Sequence, residues 1–263
     1  MVNDVIFIGA GNLATNLAKA LKKTNYRIVQ VFSRTRESAS TLAKIVDADS
    51  VTELAEVRKD ASIYIVSLKD SVLTDKVAEI VNGKPDALIL HTAGSISISV
   101  FEGYAAHYGV FYPMQTFSKM KEIDFKSVPC YIEASSAKDL IKVKQLAEAL
   151  SDHVEECSSE QRKYLHLAAV FVCNFTNHLY DVADCFLHEH QLSFNGLLPL
   201  IDETARKVHE IKPGEAQTGP AIRFDENVIH MQSALLHDHP VWQDIYNLLS
   251  KSIHENNKKL PNP

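Results

Sequence analysis

A glycine-rich turn near the start of the chain most constrains its fold. The run Gly9-Ala10-Gly11-Asn12-Leu13-Ala14 follows the apolar run Val5-Ile6-Phe7-Ile8 and precedes a segment with helical periodicity. Glycine is needed where a strand stops abruptly and its backbone passes close to another group, because a Cβ would collide there. The helix that follows offers free N–H groups and the positive end of its dipole to an anion. This pattern predicts a dinucleotide whose pyrophosphate is held by Gly9, Gly11, Asn12 and Leu13.

The end of the second apolar run, Ile28-Val29-Gln30-Val31-Phe32, indicates which dinucleotide is bound. An NAD site usually has an acidic residue about 20 residues after the glycines, where it accepts hydrogen bonds from the ribose. Here Ser33-Arg34-Thr35-Arg36 stands at that place instead. Hydroxyl and guanidinium groups bind a 2′-phosphate through charge-assisted hydrogen bonds. We therefore expect NADP(H), held at this phosphate by Ser33, Arg34 and Thr35. The alternative is that both arginines only begin the next helix in solvent.

Charge and composition restrict the classes of partner. The formal net charge is −6, from 27 basic and 33 acidic residues, which argues against a general affinity for nucleic acid or an anionic membrane. The sequence has no apolar stretch of membrane-spanning length and no basic leader, so we expect a cytoplasmic protein. The four cysteines have no Cys-x-x-Cys spacing. Reduced thiols are therefore favoured over disulfides, and we expect no metal site.

Short apolar runs alternate with helical patterns in the first part of the chain, which is typical of a parallel sheet covered on both faces. We predict an α/β protein in which a Rossmann doubly wound parallel sheet, residues 1–157, precedes an all-helical C-terminal domain, residues 158–263. The second domain is expected to supply another wall of the substrate pocket. Predicted strands cover residues 5–9, 27–33, 62–68, 87–92, 110–112, 130–134 and 153–155. Predicted helices cover residues 13–23, 38–46, 73–81, 136–150, 161–188, 192–211, 225–236 and 240–254. The helix at 161–188 is apolar on most faces, which indicates burial.

In a doubly wound sheet the ligand lies beyond the carboxyl ends of the strands. Small or hydroxyl-bearing residues that follow those strands are expected beside the nicotinamide half of the cofactor, namely Ser67, Leu68, Thr92, Ala93 and Gly94. Candidate substrate contacts are Ser95, Met114, Gln115, Asn177 and Thr218. The catalytic group itself is not identified, and its candidates are Tyr112, His166 and Asn174. For His166 and Asn174, packing in the core or at an interface is an equally good interpretation.

Several of these segments together resemble one bacterial family. They are the Gly9 to Ala14 turn, Ser33-Arg34-Thr35, His91-Thr92-Ala93-Gly94-Ser95 and Pro113-Met114-Gln115-Thr116-Phe117, with Leu198-Pro199-Leu200, Thr204, Thr218-Gly219-Pro220-Ala221 and His230 in the second half. The family is Rossmann-like, is described as deazaflavin-dependent NADP oxidoreductase-like, and has a helical C-terminal domain of unknown function. The chain is also distantly similar to pyrroline-carboxylate reductase, phosphogluconate dehydrogenase and the β-hydroxyacid dehydrogenases. This resemblance implies a homodimer formed through the helical domain.

Two departures from those relatives concern catalysis. β-Hydroxyacid dehydrogenases have a catalytic lysine four residues before an asparagine on the long helix, but here Cys173 stands four residues before Asn177. The bacterial family usually has histidine before the Pro-Met-Gln segment, where this chain has Tyr112. We expect an oxidoreductase that transfers hydride between NADP(H) and a small polar ketone, imine or alcohol in an interdomain cleft. The alternative is a catalytically silent NADP-binding sensor or partner-binding protein.

Overall fold

The computed structural model describes residues 3–257, and the chain divides into two compact units, Met1–Asn174 and Phe175–Pro263. The first unit is built on an eight-stranded sheet. Its strands are β1 (Asn3–Ile8), β2 (Tyr26–Phe32), β3 (Asp49–Val51), β4 (Ile63–Val66), β5 (Leu88–His91), β6 (His107–Pro113), β7 (Cys130–Ala134) and β8 (Val154–Glu156).

The strands are arranged in the order β3-β2-β1-β4-β5-β6-β7-β8. The first six of these are parallel and follow the order 3-2-1-4-5-6 of a Rossmann sheet. The predicted fold class is therefore confirmed. Two details differ from the sequence-based expectation, because β3 was not predicted and β7 runs antiparallel to β6. The three residues of β3 are too few to produce a recognisable hydrophobic period.

Helices cover both faces of this sheet, as expected. They are α1 (Asn12–Leu21), α2 (Arg36–Val46), α3 (Asp70–Val81) and α4 (Ala137–Glu148), and a further helix, α5 (Ser159–Ala169), follows β8. Side chains of β1 alternate between two hydrophobic cores, because successive residues of a strand point to opposite faces. Phe7 packs with Leu17 in one core, and Ile6 packs with Leu73 in the other. Burial on both faces explains the continuous apolar runs at residues 5–8 of β1 and 63–66 of β4.

In the second unit, all regular elements within residues 175–257 are helical, which agrees with the predicted class. The helices are α6 (Thr176–Glu189), α7 (Leu198–Glu210), α8 (Pro220–Arg223), α9 (Glu226–Ala234) and α10 (Pro240–Asn257). The short α8 lies between the predicted helices 192–211 and 225–236, in a segment for which no helix was predicted. No helix within residues 3–257 combines the length and apolarity that crossing a membrane requires.

The long helix predicted for residues 161–188 corresponds to α5, a π-helical segment at Val170–Phe175, and α6. The prediction that it is buried is wrong for the single chain, because Leu167 is 54% exposed and Val172 is 74% exposed. Apolarity alone does not bury a helix, which also needs another element to cover its face. The predicted domain boundary after residue 157 falls between β8 and α5. It remains a prediction, and the division into compact units falls later, after Asn174.

Candidate functional site

The turn between β1 and α1 contains the first glycine that the sequence singled out. Gly9 has a φ of 122°, which L side chains rarely adopt, and a Cβ at this position would overlap the carbonyl oxygen of Ser67. The Gly9 N–H donates a hydrogen bond of 2.9 Å to the carbonyl of Phe32. The chain therefore needs glycine here because the backbone after β4 lies against it, a reason that is independent of any ligand.

Gly11 meets a different requirement. It is the N-cap residue of α1, and no side chain caps the helix. A Cβ at Gly11 would have no heavy atom within 4 Å, so the space in front of the first turn of α1 is open. Uncapped N–H groups at a helix N-terminus next to open space suit a pyrophosphate. Gly11, Asn12 and Leu13 are thus placed as a phosphate-binding turn requires, and their binding role remains a prediction.

The segment after β2 carries the residues predicted to hold the 2′-phosphate. Arg34, Thr35 and Arg36 are exposed, and Ser33 is half-buried. In the part of the chain described here, neither guanidinium has a hydrogen bond or an ion pair. Thr35 is the N-cap of α2, but its side chain does not cap the helix, and Arg36 is the first helical residue. A cation at a helix N-terminus is unfavourable, so an anion bound here would relieve that cost.

The carboxyl ends of β1, β4 and β5 bring the next group of predicted residues together. Ile8 lies opposite Val66, which lies opposite His91, so the residues after these strands share one edge of the sheet. Ser67 donates its N–H to the carbonyl of Ile8 at 2.8 Å. Thr92 and Gly94 are buried, whereas Leu68 and Ala93 are half-buried. The Ser95 hydroxyl donates to the Asp70 carboxylate at the start of α3, which joins the two loops.

His91 is a buried residue whose role the sequence did not indicate. Its side chain is fully buried, and its Nδ1 accepts the Ala93 N–H at 3.2 Å. Burial, with the nearby positive charge of Arg162, lowers the pKa of His91 to about 3. The imidazole is therefore neutral and fixes the backbone of Ala93, immediately before Gly94.

Tyr112 and His166, both catalytic candidates, are in contact. The Tyr112 hydroxyl lies 3.1 Å from His166 Nδ1, and the two rings meet edge to face at 6.1 Å between centroids. Burial raises the pKa of Tyr112, while the charge of Arg162 partly opposes this effect. The phenol is therefore protonated near neutral pH and can act as a proton donor.

Gly94 permits this pair to form beside the loop that follows β5. A Cβ at Gly94 would lie only 2.6 Å from His166 Nδ1, which is closer than real Cβ contacts. The imidazole thus lies directly against the backbone of Gly94. Three residues proposed from separate parts of the sequence, Gly94, Tyr112 and His166, form one cluster at the carboxyl edge of the sheet.

A buried ionic group next to this cluster was not found by the sequence reasoning. Arg162 has a side chain that is only 1% exposed, and its Nη1 donates to the carboxylate of Glu133 at 2.8 Å. Ser159, Arg162 and His166 are separated by three and four residues and share one face of α5. That spacing is visible in the sequence and was the signal that could have identified the group.

The remaining candidates lie elsewhere. Asn174 is exposed in the π-helical segment, and no hydrogen bond within the described residues joins it to Tyr112 or His166. Gln115 is exposed and accepts the N–H of Thr116 at 2.8 Å, whereas the Met114 N–H donates to the carbonyl of Pro129. Asn177 and Thr218 belong to the second unit and are exposed. Their roles in substrate binding stay predictions.

Comparison with known proteins agrees with both halves of the fold. Residues 4–94 match the family described as NADP oxidoreductase coenzyme F420-dependent, and residues 128–253 match DUF2520, a domain of unknown function. No curated protein matches the chain significantly.

Among solved structures, BF3122 of Bacteroides fragilis, described as a proposed NADP oxidoreductase, is 58% identical, with a TM-score of 0.94 over 97% of this chain and 98% of its own. TM1727 of Thermotoga maritima is 22% identical, with a TM-score of 0.75 over 95% of this chain and 99% of its own. An imine reductase of Myxococcus stipitatus, solved with NADP+, is 16% identical, with a TM-score of 0.70 over 97% and 94%. The last two likenesses show the fold alone.

The resemblance inferred from the motifs is therefore confirmed over nearly the whole chain by the match to BF3122. The protein belongs to the family of NADP oxidoreductase-like proteins in which a Rossmann nucleotide-binding half precedes a DUF2520 domain.

Proposed function

We propose that the protein transfers hydride between NADP(H) and a small polar ketone, imine or alcohol. The observation that carries this proposal is the contact between Tyr112 and His166 beside Gly94, which provides a protonated phenol at the edge where a Rossmann sheet binds its cofactor. The family described as NADP oxidoreductases and the NADP+ complex of the imine reductase support the choice of cofactor.

The cofactor would be held at three places along the carboxyl edge. Gly9, Gly11, Asn12 and Leu13 would receive the pyrophosphate, because the first turn of α1 is uncapped and open. The 2′-phosphate would bind Ser33, Arg34 and Thr35, where two guanidinium groups are free of other partners within residues 3–257. The nicotinamide half would lie beside Ser67, Leu68, Thr92, Ala93 and Gly94. When bound, the nicotinamide supplies or accepts the hydride.

The residues of this chain would manage the proton. Tyr112 Oη holds a proton near neutral pH, because burial raises its pKa. The phenol would donate this proton to the oxygen or nitrogen of the substrate during reduction and would accept it during oxidation. His166 is half-buried and touches the phenol through Nδ1, so it would exchange the proton with solvent. This arrangement would replace the lysine that β-hydroxyacid dehydrogenases use.

Two further parts of the proposal concern the second unit. We place the substrate in a cleft formed with the helical domain, and we propose that this domain forms a homodimer. Large apolar side chains on its helices are exposed in the single chain, among them Leu200 at 62% and Leu248 at 68%. Extended exposure of this kind is typical of a surface that another protein covers. Light scattering should then give about twice the chain mass of 29.3 kDa. A cytoplasmic location completes the proposal.

Cofactor choice is tested with Arg34→Ala. A charge-assisted hydrogen bond to the 2′-phosphate contributes about 1.5–3 kcal/mol, so the variant should bind NADPH about ten-fold or more weakly. Affinity for NADH, which lacks this phosphate, should hardly change. Arg206→Ala is the matched control, because Arg206 is an exposed arginine of the second unit. The proposal is refuted if the wild-type protein binds NADPH no better than NADH, or binds neither.

Catalysis is tested separately by following NADPH oxidation with a panel of small ketones and cyclic imines. Tyr112→Phe keeps the ring and removes the proton donor, so turnover should fall about 100-fold or more while NADPH affinity is retained. Full activity in this variant would exclude Tyr112 as the donor. Binding of NADPH without turnover of any compound in wild-type protein would favour the silent NADP-binding sensor.

A further inference from the structure

One face of α5 holds the loop after β5 through three successive contacts. Ser159 Oγ accepts the Ile98 N–H at 2.8 Å, and Arg162 Nη2 donates to the Ile96 carbonyl at 2.7 Å. His166 lies against Gly94. Because these three side chains share a helix face, their contacts fix both the rotation and the axial position of α5 relative to residues 94–98.

Glu133 of β7 binds two of these three side chains. Its carboxylate accepts the Ser159 hydroxyl at 2.6 Å and Arg162 Nη1 at 2.8 Å. Ser159 also lies 3.0 Å from Arg162 Nη2, so the three side chains form one connected network. Of the pair, Arg162 is almost wholly buried, whereas Glu133 keeps 20% of its side chain exposed.

Stability alone is a poor explanation for this buried pair. Removing two charges from water is expensive, and replacing a buried ion pair with apolar residues is often neutral or stabilising. The Arg162 guanidinium is also incompletely satisfied, because Nε has no acceptor among the described residues. What the network does provide is geometry, since it connects the sheet to α5 and to the loop at the same point.

A capping box holds the start of α5, and the network with Glu133 then determines where His166 lies further along the helix. Ser158 and Gln161 form a capping box, in which each side chain accepts the other's backbone N–H. His166 then lies one turn after Arg162 on the same face. A change in the position of Arg162 would therefore move the imidazole relative to Gly94 and Tyr112.

We propose that Glu133 and Arg162 are positioning residues that hold His166 and residues 94–98 together so that this loop can receive the nicotinamide half of the cofactor. The inference rests on the proposed function, because it assumes that the nicotinamide lies at this loop. Neither residue touches the cofactor in this scheme. Both act through Ser159, His166 and the backbone of the loop.

The test compares two ligands by calorimetry: NADP+, and adenosine 2′,5′-bisphosphate, which lacks the nicotinamide half. The variant Arg162→Lys keeps the positive charge, but its single ammonium cannot reproduce the forked contacts with Glu133 and the Ile96 carbonyl. Ser159→Ala is a milder second variant, because it strands no charge and should fold if Arg162→Lys does not. Both should bind adenosine 2′,5′-bisphosphate within two-fold of wild type. Their ratio of NADP+ affinity to bisphosphate affinity should fall at least three-fold.

Asp139→Asn is the matched control. Asp139 is a fully buried carboxylate of the first unit, and it binds Lys142 and His107 on α4 and β6. Its loss should lower the melting temperature without changing the affinity ratio. A general loss of stability would weaken both ligands alike, so the ratio separates positioning from folding.

Each outcome of this experiment is decisive. A wild-type protein that binds neither ligand overturns the proposed function. A wild-type protein that binds both with equal affinity, or variants that keep the wild-type ratio, overturn the positioning role of Glu133 and Arg162 and leave NADP binding in place. A selective loss of NADP+ affinity in the variants, with the control unchanged, supports it.

Discussion

Acidification is expected to destabilise the first unit through His91 before ordinary carboxylates titrate. The imidazole is fully buried, and burial together with the charge of Arg162 lowers its pKa from 6.5 to about 3. Protonation would also remove the lone pair on Nδ1 that accepts the Ala93 N–H. The unfolded chain therefore binds a proton more readily than the folded chain at any pH between these two pKa values.

The magnitude follows from linkage. Each unit of pKa difference that is crossed corresponds to about 1.4 kcal/mol. Because the folded pKa is depressed, the stability is complete above pH 6.5 and declines as the pH falls toward 3. Lowering the pH to about 5 crosses roughly 1.5 units, which corresponds to a loss of about 2 kcal/mol. At that pH, carboxylates with ordinary pKa values remain ionised.

His91→Asn provides the comparison, since an amide oxygen can accept the Ala93 N–H but does not titrate. Urea unfolding should be followed by far-UV circular dichroism between pH 8 and pH 5 at a fixed protein concentration. Fluorescence of Trp242 is unsuitable, because this sole tryptophan belongs to the second unit. The variant should start from a lower stability, because its side chain is smaller, but its free energy of unfolding should lose about 2 kcal/mol less across this range.

The change in the free energy of unfolding with pH, compared between the two proteins, shows whether His91 titrates as expected. If wild type and His91→Asn lose the same free energy between pH 8 and pH 5, the buried imidazole does not titrate as the structure implies. A wild-type stability that rises on acidification would refute the sign of the argument. Equal m-values for the two proteins would verify that the same surface is exposed on unfolding.

Three further outcomes are expected. Gly9→Ala should cost several kcal/mol of stability even without cofactor, because its φ is 122° and the new Cβ would overlap the Ser67 carbonyl; urea unfolding of the apoprotein measures this. Gly94→Ala should leave the fold intact but displace His166, so turnover with a reactive ketone or imine should fall more than NADPH affinity does. Burial and the charge of Lys59 lower the pKa of Lys84 to about 8. Wild type should therefore gain stability relative to Lys84→Met as the pH rises from 8 to 10, which urea unfolding measures.

The sheet could be predicted in advance because its signal is local. Each long strand contains a short apolar run, and both faces of the sheet are buried, so strand identity and the parallel class follow from the pattern. The direction of β7 could not be derived in this way. Apart from Glu133, the residues of Cys130–Ala134 are apolar whichever way the chain runs. The 3-10 helix Phe125–Ser127 between β6 and β7 is too short to indicate a parallel crossover.

The sequence singled out Gly9 and Gly11 for a partly different reason than the one the structure gives. The dinucleotide-binding motif contains both Gly9 and Gly11. Only Gly11 borders open space, whereas the Ser67 carbonyl oxygen leaves no room for a side chain at Gly9. Substitution of Gly9 would therefore report on folding as well as on binding. Gly11 is the position at which an added methyl group tests cofactor binding with little strain, since its φ of −74° suits any residue.

The cluster of Gly94, Tyr112 and His166 shows why a list of candidate residues is not yet a site. Tyr112 and His166 are separated by 54 residues, and their contact depends on how α5 is rotated against the sheet. That rotation is set by a capping box at Ser158 and by the pairing of Glu133 with Arg162, neither of which carries a catalytic signature in sequence. The geometry of such a site therefore depends on buried charges that bind a helix to a loop. In this protein, a change at Glu133 or Arg162 should alter catalysis even when every residue proposed to touch the ligands is kept.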